Sequence, residues 1–161
     1  MEAKMSHWST RPGSAWTGPV IEQFLAGTVI PIRLACNSFG GAPLVMSLWY
    51  LYRDGALWCA TQQDARLVAR LREDPAVGFE VAGDAPPYHG VRGQGRAELF
   101  TQHGPVTLEQ LIDRYLGRRD SRLAKWLLAR LDSEVAIRIV PDWVTAWDYR
   151  RRMRDAVAPV D

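Results

Sequence analysis

Cysteine and histidine are scarce in this chain, and the scarcity narrows its chemistry. Its 161 residues hold two cysteines, Cys36 and Cys59, and three histidines, His7, His89 and His103. The cysteines lack metal-ligand spacing and no histidine clusters with them, so no metal site is expected. Both read instead as small buried hydrophobes. The leading segment MEAKMSHWSTRPGSAW has no apolar centre, and with so few thiols the expected setting is the reduced cytoplasm. No apolar run approaches the length of a bilayer span, so no membrane association is expected. A dominant charge is missing too. Twenty Lys and Arg against 18 Asp and Glu leave a net charge of +2, which argues against a nucleic-acid binder. The cationic run YRRRMR at 149–154 accordingly reads as a solvated tail.

What is present is an ordinary globular composition, 47% apolar and 24% charged, at a length suited to one domain with its own core. Residues 1–16 read as a mobile N-terminal segment, 17–150 as the domain, and 151–161 as a basic, disordered tail. TGPVIEQFLAG predicts a short helix, with Pro19 in its first turn and Gly27 at its end. Branched and aromatic runs at 28–36, 44–52, 56–61 and 76–83 predict strands. The link RDG between the second and third predicts a hairpin. Between the third and fourth, Leu67, Val68 and Leu71 share one face of an amphipathic helix, with Asp64 in its first turn. Two more helices follow. One carries Leu108, Leu111, Ile112 and Tyr115 on a stripe ended by Gly117; the other starts at Asp120 or Ser121. EVAIRIVPDWVTAWDYR returns to strand, broken in two by Pro141. The fold class is mainly β with inserted helices: six to seven mostly antiparallel strands and three to four short helices.

The stretch PPYHGVRGQGRAEL, 86–99, tests that reading. A dinucleotide-binding loop needs G-x-G-x-x-G opening a helix. Here the glycines fall at 90, 93 and 95, and RAELF continues as strand. One face holds Val91, Gly93, Gly95, Ala97 and Leu99, nearly bare in its middle; the other holds Arg92, Gln94, Arg96 and Glu98. A bare strand face marks either a bend or bulge, or the close approach of another backbone or a flat ligand.

The order of these pieces resembles the pyridoxamine 5′-phosphate oxidase-like family of flavin-binding split β-barrels. The likeness runs from about Thr28 to Tyr149. It rests on G-x-P-x-x-x-x-L-W-Y at 41–50, D-G-x-L-W-x-x-T at 54–61, the cationic helix ending in Asp74-Pro75, and V-x-G-x-G-x-A at 91–97. The resemblance implies a split barrel, a homodimer, and cofactor sites at the dimer interface, for FMN or in some branches a deazaflavin. It implies that the flavin ring lies along Met46, Ser47, Leu48 and Trp49 and along Ala60, Thr61 and Gln62. The cofactor phosphate is then expected at Arg66, with Arg92 as a further cation and Trp147 as a wall. Arg33 and Arg96 are alternative cations, and Tyr88 and His89 could face substrate.

Elementary chemistry supports part of this assignment. Thr61 to Asp64 lead into a helix whose N-terminal N–H groups suit an anion, and an Arg66 guanidinium there could hold a phosphate through two bonds. The expectation is an FMN-dependent oxidoreductase acting on a small molecule, with no catalytic side chain identified. A deazaflavin-dependent reductase, a haem-binding split barrel with His89 or His103 as axial ligand, and a flavin-storing protein without turnover are the alternatives. The Arg-x-His ending of true pyridoxamine 5′-phosphate oxidases is absent.

Overall fold

The computed structural model describes residues 8–156. One mainly antiparallel sheet dominates it. In chain order its strands are β1 (Ser9–Thr10), β2 (Ile32–Asn37), β3 (Pro43–Leu48), β4 (Leu51–Arg53), β5 (Ala56–Gln62), β6 (Ala76–Ala82), β7 (His89–Phe100) and β8 (Glu134–Asp148). The helices are α1 (Gly18–Gly27), α2 (Arg66–Glu73), α3 (Gly104–Leu116) and α4 (Arg122–Leu128). Strand order is β3-β2-β6-β7-β8-β5-β4, with β1 added in parallel to β8.

The aromatic run expected as one strand at 44–52 is two strands. β3 and β4 lie at opposite ends of the hydrogen-bonded order, yet only Trp49 and Tyr50 separate them in sequence. The sheet must therefore curl until its ends meet, closed by covalent continuity instead of a ladder. Tyr50 is fully buried at the seam. Its hydroxyl donates to the Leu25 carbonyl at 2.9 Å, and its N–H donates to the Tyr115 hydroxyl at 3.2 Å. Tyr115 in turn donates to the Ile30 carbonyl, and Trp49 stacks on its ring, centroids 5.0 Å apart. Arg114 donates to the carbonyls of Ala26 and Thr28, satisfying acceptors freed where α1 ends.

The hairpin expected at RDG is present, with Asp54 and Gly55 both left-handed at φ 52° and 74°, as a type I′ turn requires. α2 buries Leu67, Val68 and Leu71 but starts at Arg66, leaving Asp64 ahead of it. Both cysteines are free and buried, and burial pushes the Cys59 thiol up to about 12.

β7 answers the question of the bare face. Val91, Gly93, Gly95 and Ala97 point inward and are buried, while Arg92, Gln94, Arg96 and Glu98 are exposed. A Cβ on Gly93 would lie 2.5 Å from the Trp143 carbonyl oxygen, and one on Gly95 would overlap the Val140 carbonyl. The close partner is thus the neighbouring strand. The register also slips here, Gln94 opposing Trp143 and Gly95 opposing Pro141, so Asp142 is bulged out. β8 is consequently one strand, not two. Pro141 adjoins the bulge, a place where a residue without an N–H is tolerated in a sheet interior.

Two segments differ from expectation. Residues 8–16, expected to be mobile, are docked. Trp8 is buried and donates to the Tyr52 hydroxyl, Ser9–Thr10 pair with Trp143–Val144, and the Trp16 indole donates to Asp148 at 3.1 Å. Its aromatic anchors cover the core edge that β8 leaves open. Residues 151–156 form turns, with the Met153 N–H bonded to the Tyr149 carbonyl at 2.8 Å. Residues 1–7 and 157–161 lie outside the described residues. No helix among those described is long and apolar enough to cross a membrane.

Tyr50→Phe leaves the seam packed but removes the donor to Leu25. A stability loss of about 1–2 kcal/mol is expected, read from urea midpoints; an unchanged midpoint would show that packing alone closes the sheet.

Candidate functional site

A cavity of 340 Å³ opens beside the seam, where β3 ends, β5 ends and β8 begins. Ser47, Leu48 and Trp49 form one side, and Ala60, Thr61 and Gln62 another. Leu108 and Leu111 of α3 close it behind, and Leu123, Trp126 and Leu127 of α4 cover it. The local sequence explains this placement. α3 turns its apolar stripe onto β5 and β8, and Ser121 caps α4 by accepting from the Ala124 N–H at 3.2 Å. Ala124 is buried against α3, while Trp126 stays 56% exposed over the cavity. α3 also begins under a tight constraint: a Cβ on Gly104 would overlap the Glu134 carbonyl oxygen, so helix and strand meet backbone to backbone.

The walls are apolar apart from Ser47, Thr61 and one cluster of polar residues. Gln62 ends β5 directly opposite Glu134, the first residue of β8. Its side-chain amide donates to Glu134 Oε1 and lies 3.4 Å from the Arg130 carbonyl. Glu134 is only 6% exposed, and its burial raises the carboxyl above its ordinary value; the Gln62 bond and nearby Arg130 oppose that shift. Arg130 stacks on the Trp126 ring at 5.4 Å.

Six expected site residues, Ser47, Leu48, Trp49, Ala60, Thr61 and Gln62, thus line one cavity. Met46 instead packs against the main core. Arg66 stands exposed at the first position of α2, four residues beyond Gln62, and no side chain caps that helix. Arg92 and Trp147 are not brought to this cavity. They lie diagonally on the outer face of β7 and β8, 5.5 Å apart as a cation–π pair, and line another cleft with Arg151 and Arg152. Strand alternation puts them on that face. Arg33 is engaged by Asp84 at 2.5 Å and by the Ala82 carbonyl. His89 packs among Trp16 and Phe24, and His103 against Trp58 and Phe100. The helix expected to start at Asp120 or Ser121 is α4, but sequence reasoning missed its place over the cavity, together with Arg130 and Glu134; the position of Glu134 depends on a cross-strand register that no local pattern encodes.

The sequence matches no family model and no curated protein. Solved structures do match. A conserved hypothetical protein from Mycobacterium tuberculosis superposes with a TM-score of 0.71 at 24% identity, over 95% of this chain and 96% of that one. An F420 reductase superposes with a TM-score of 0.65 at 20% identity, over 76% and 94%. A Clostridium acetobutylicum protein related to general stress protein 26, of the pyridoxinephosphate oxidase family, superposes with a TM-score of 0.59 at 19% identity, over 80% and 90%. The fold is the pyridoxamine 5′-phosphate oxidase-like split barrel. In this split barrel the cavity sits at the split itself, where Trp49 and Tyr50 join the two sheet ends.

The raised Glu134 carboxyl has a definite consequence for stability. A folded-state value above the unfolded one contributes stability below the unfolded value, near 4.5, and loses it as pH rises through the folded value. Glu134→Gln keeps an acceptor for Gln62 and removes the titration. Its stability relative to the parent should therefore grow from pH 4.5 upward in paired urea melts; a difference independent of pH would contradict the burial argument.

Proposed function

We propose that this split barrel is a flavin-dependent oxidoreductase that holds FMN in the cavity at the seam. The observation that carries the reading is the cavity's arrangement. Apolar walls from β3, β5 and α4 suit a flat ring, and the chain leaving Thr61 and Gln62 runs straight to the uncapped start of α2 and Arg66. The cavity volume falls within the roughly 300–1,000 Å³ of small-molecule sites. Ring and phosphate are thus offered different environments, apolar for one and donor-rich for the other. When bound, the flavin would supply the transfer of electrons to or from a small-molecule substrate. The chain's own residues bind it: Trp49 and the α4 leucines exclude water, Ser47, Thr61 and Gln62 present polar atoms, and Arg66 anchors the phosphate.

A deazaflavin is the second reading, favoured by the F420 reductase likeness. Its long acidic tail would need an extended basic groove. In one chain Arg33 is already neutralised, Arg96 lies near Asp74, and Arg92 lies in the other cleft. For haem, no histidine among the described residues lines the cavity.

We also assign the outer face of β3, β2 and β6 to a second copy of the chain. The cross-strand row Val45, Ala35, Gly78, Gln94 and Trp143 is mostly apolar and lines an open groove. Val45 at its edge is 63% exposed. The flanking row offers Arg33, Glu80 and Arg92, charges of both signs suited to a self-complementary contact.

Arg66→Ala should weaken FMN binding by about 1.5–3 kcal/mol, the range of a charge-assisted bond, while riboflavin, which has no phosphate, binds as before. Flavin-fluorescence titration reads both, and equal losses for the two ligands would remove Arg66 from the phosphate site. Val45→Glu should convert a dimer to a monomer by light scattering; an unchanged mass would place the interface elsewhere.

A further inference from the structure

Glu134 stands out among the buried ionisable groups of this chain. It lies at the cavity wall, it is almost wholly buried, and one carboxylate oxygen accepts from Gln62. Among the described residues nothing donates to the other oxygen, and no cation lies within ion-pair distance. Arg130 is near enough to act through space, but its guanidinium is laid against Trp126. A buried carboxylate with a single neutral donor is unfavourable unless something further donates to it. The register fixes where that donor must be. Ala60 and Gln62 alternate onto the same face as Glu134 and Ala136, the face that looks into the cavity. The second oxygen opens onto the cavity and is therefore free to accept from the cavity's occupant.

Resting on the flavin reading above, we propose that Glu134, oriented by Gln62, is the specificity-determining acceptor of the cavity, receiving a hydrogen bond from the N–H of the flavin's pyrimidine ring. The chemistry of the two ends supports this orientation. A carboxylate is acceptor-only and repels a phosphate, so the anionic end of the ligand lies away from it, toward the start of α2 and Arg66. Between them the apolar walls accept a flat ring and offer no competing acceptor of equal strength. The ligand class follows: a planar heterocycle carrying a ring N–H at one edge and its anionic group at the far end.

The test compares FMN with its N3-methylated analogue, which keeps the ring and phosphate and lacks the N–H. If the wild-type protein binds only the deazaflavin, the corresponding pair in that series is used. Methylation should weaken binding to the wild type roughly ten- to hundredfold, as loss of a charge-assisted bond does. In Glu134→Ala the two ligands should bind equally. In Glu134→Gln, which keeps the Gln62 contact, the two-electron potential of the bound flavin should rise, because a negative charge beside the reduced ring has been removed. Wild-type protein that binds FMN and its methyl analogue with equal affinity would overturn the inference and leave the flavin reading standing. Wild-type protein that binds neither flavin nor deazaflavin would overturn both.

Discussion

The molecule depends on holding two residues in place. Trp49 and Tyr50 join the two ends of the sheet directly, and among the described residues no ladder pairs β3 with β4. Their position is set by hydrogen bonds that converge from two helices: α1 contributes carbonyls, and α3 contributes Tyr115 and Arg114. Buried polar groups of this kind are costly when unpaired and directional when paired. The seam is therefore defined geometrically as well as closed. The cavity inherits that definition, because its β3 wall ends at the same two residues.

Much of the fold was legible in the sequence because it rests on local periodicity. The helix bearing Leu67, Val68 and Leu71, the RDG hairpin and the alternation along β7 all follow from spacing within a few residues. The failures share a cause. The run LVMSLWYLY has strand character throughout, and what breaks it at Trp49 is the need of a curled sheet to turn a corner. Pro141 looks like a terminator until a bulge absorbs it. The Trp8 to Trp16 segment looks unattached because its partners, Tyr52 and β8, are far along the chain.

The site divides in the same way. Six residues at the ends of β3 and β5 were legible through the family resemblance, and the structure gathers them around one cavity. Arg92 and Trp147 are expected with them and share the outer side of the sheet, but they sit at the far end of β7 and β8 and line a separate cleft. Glu134 escaped notice because a glutamate opening a strand reads as solvated surface. Its burial comes from a neighbour 72 positions away in sequence, Gln62, and from a glycine that lets α3 press against its backbone.

The place of β8 bears on how the chain is made. It is the last strand among the described residues, yet it pairs with β1, β5 and β7, and so lies in the interior of the finished sheet. During synthesis β5 and β7 emerge with their inner edges bare, and they remain so until the region beyond residue 134 leaves the ribosome. A nascent chain of this design cannot complete its core piecemeal. Its exposed edges are the surfaces on which chaperones or neighbouring nascent chains would act, and rare codons placed upstream of β8 would lengthen that interval.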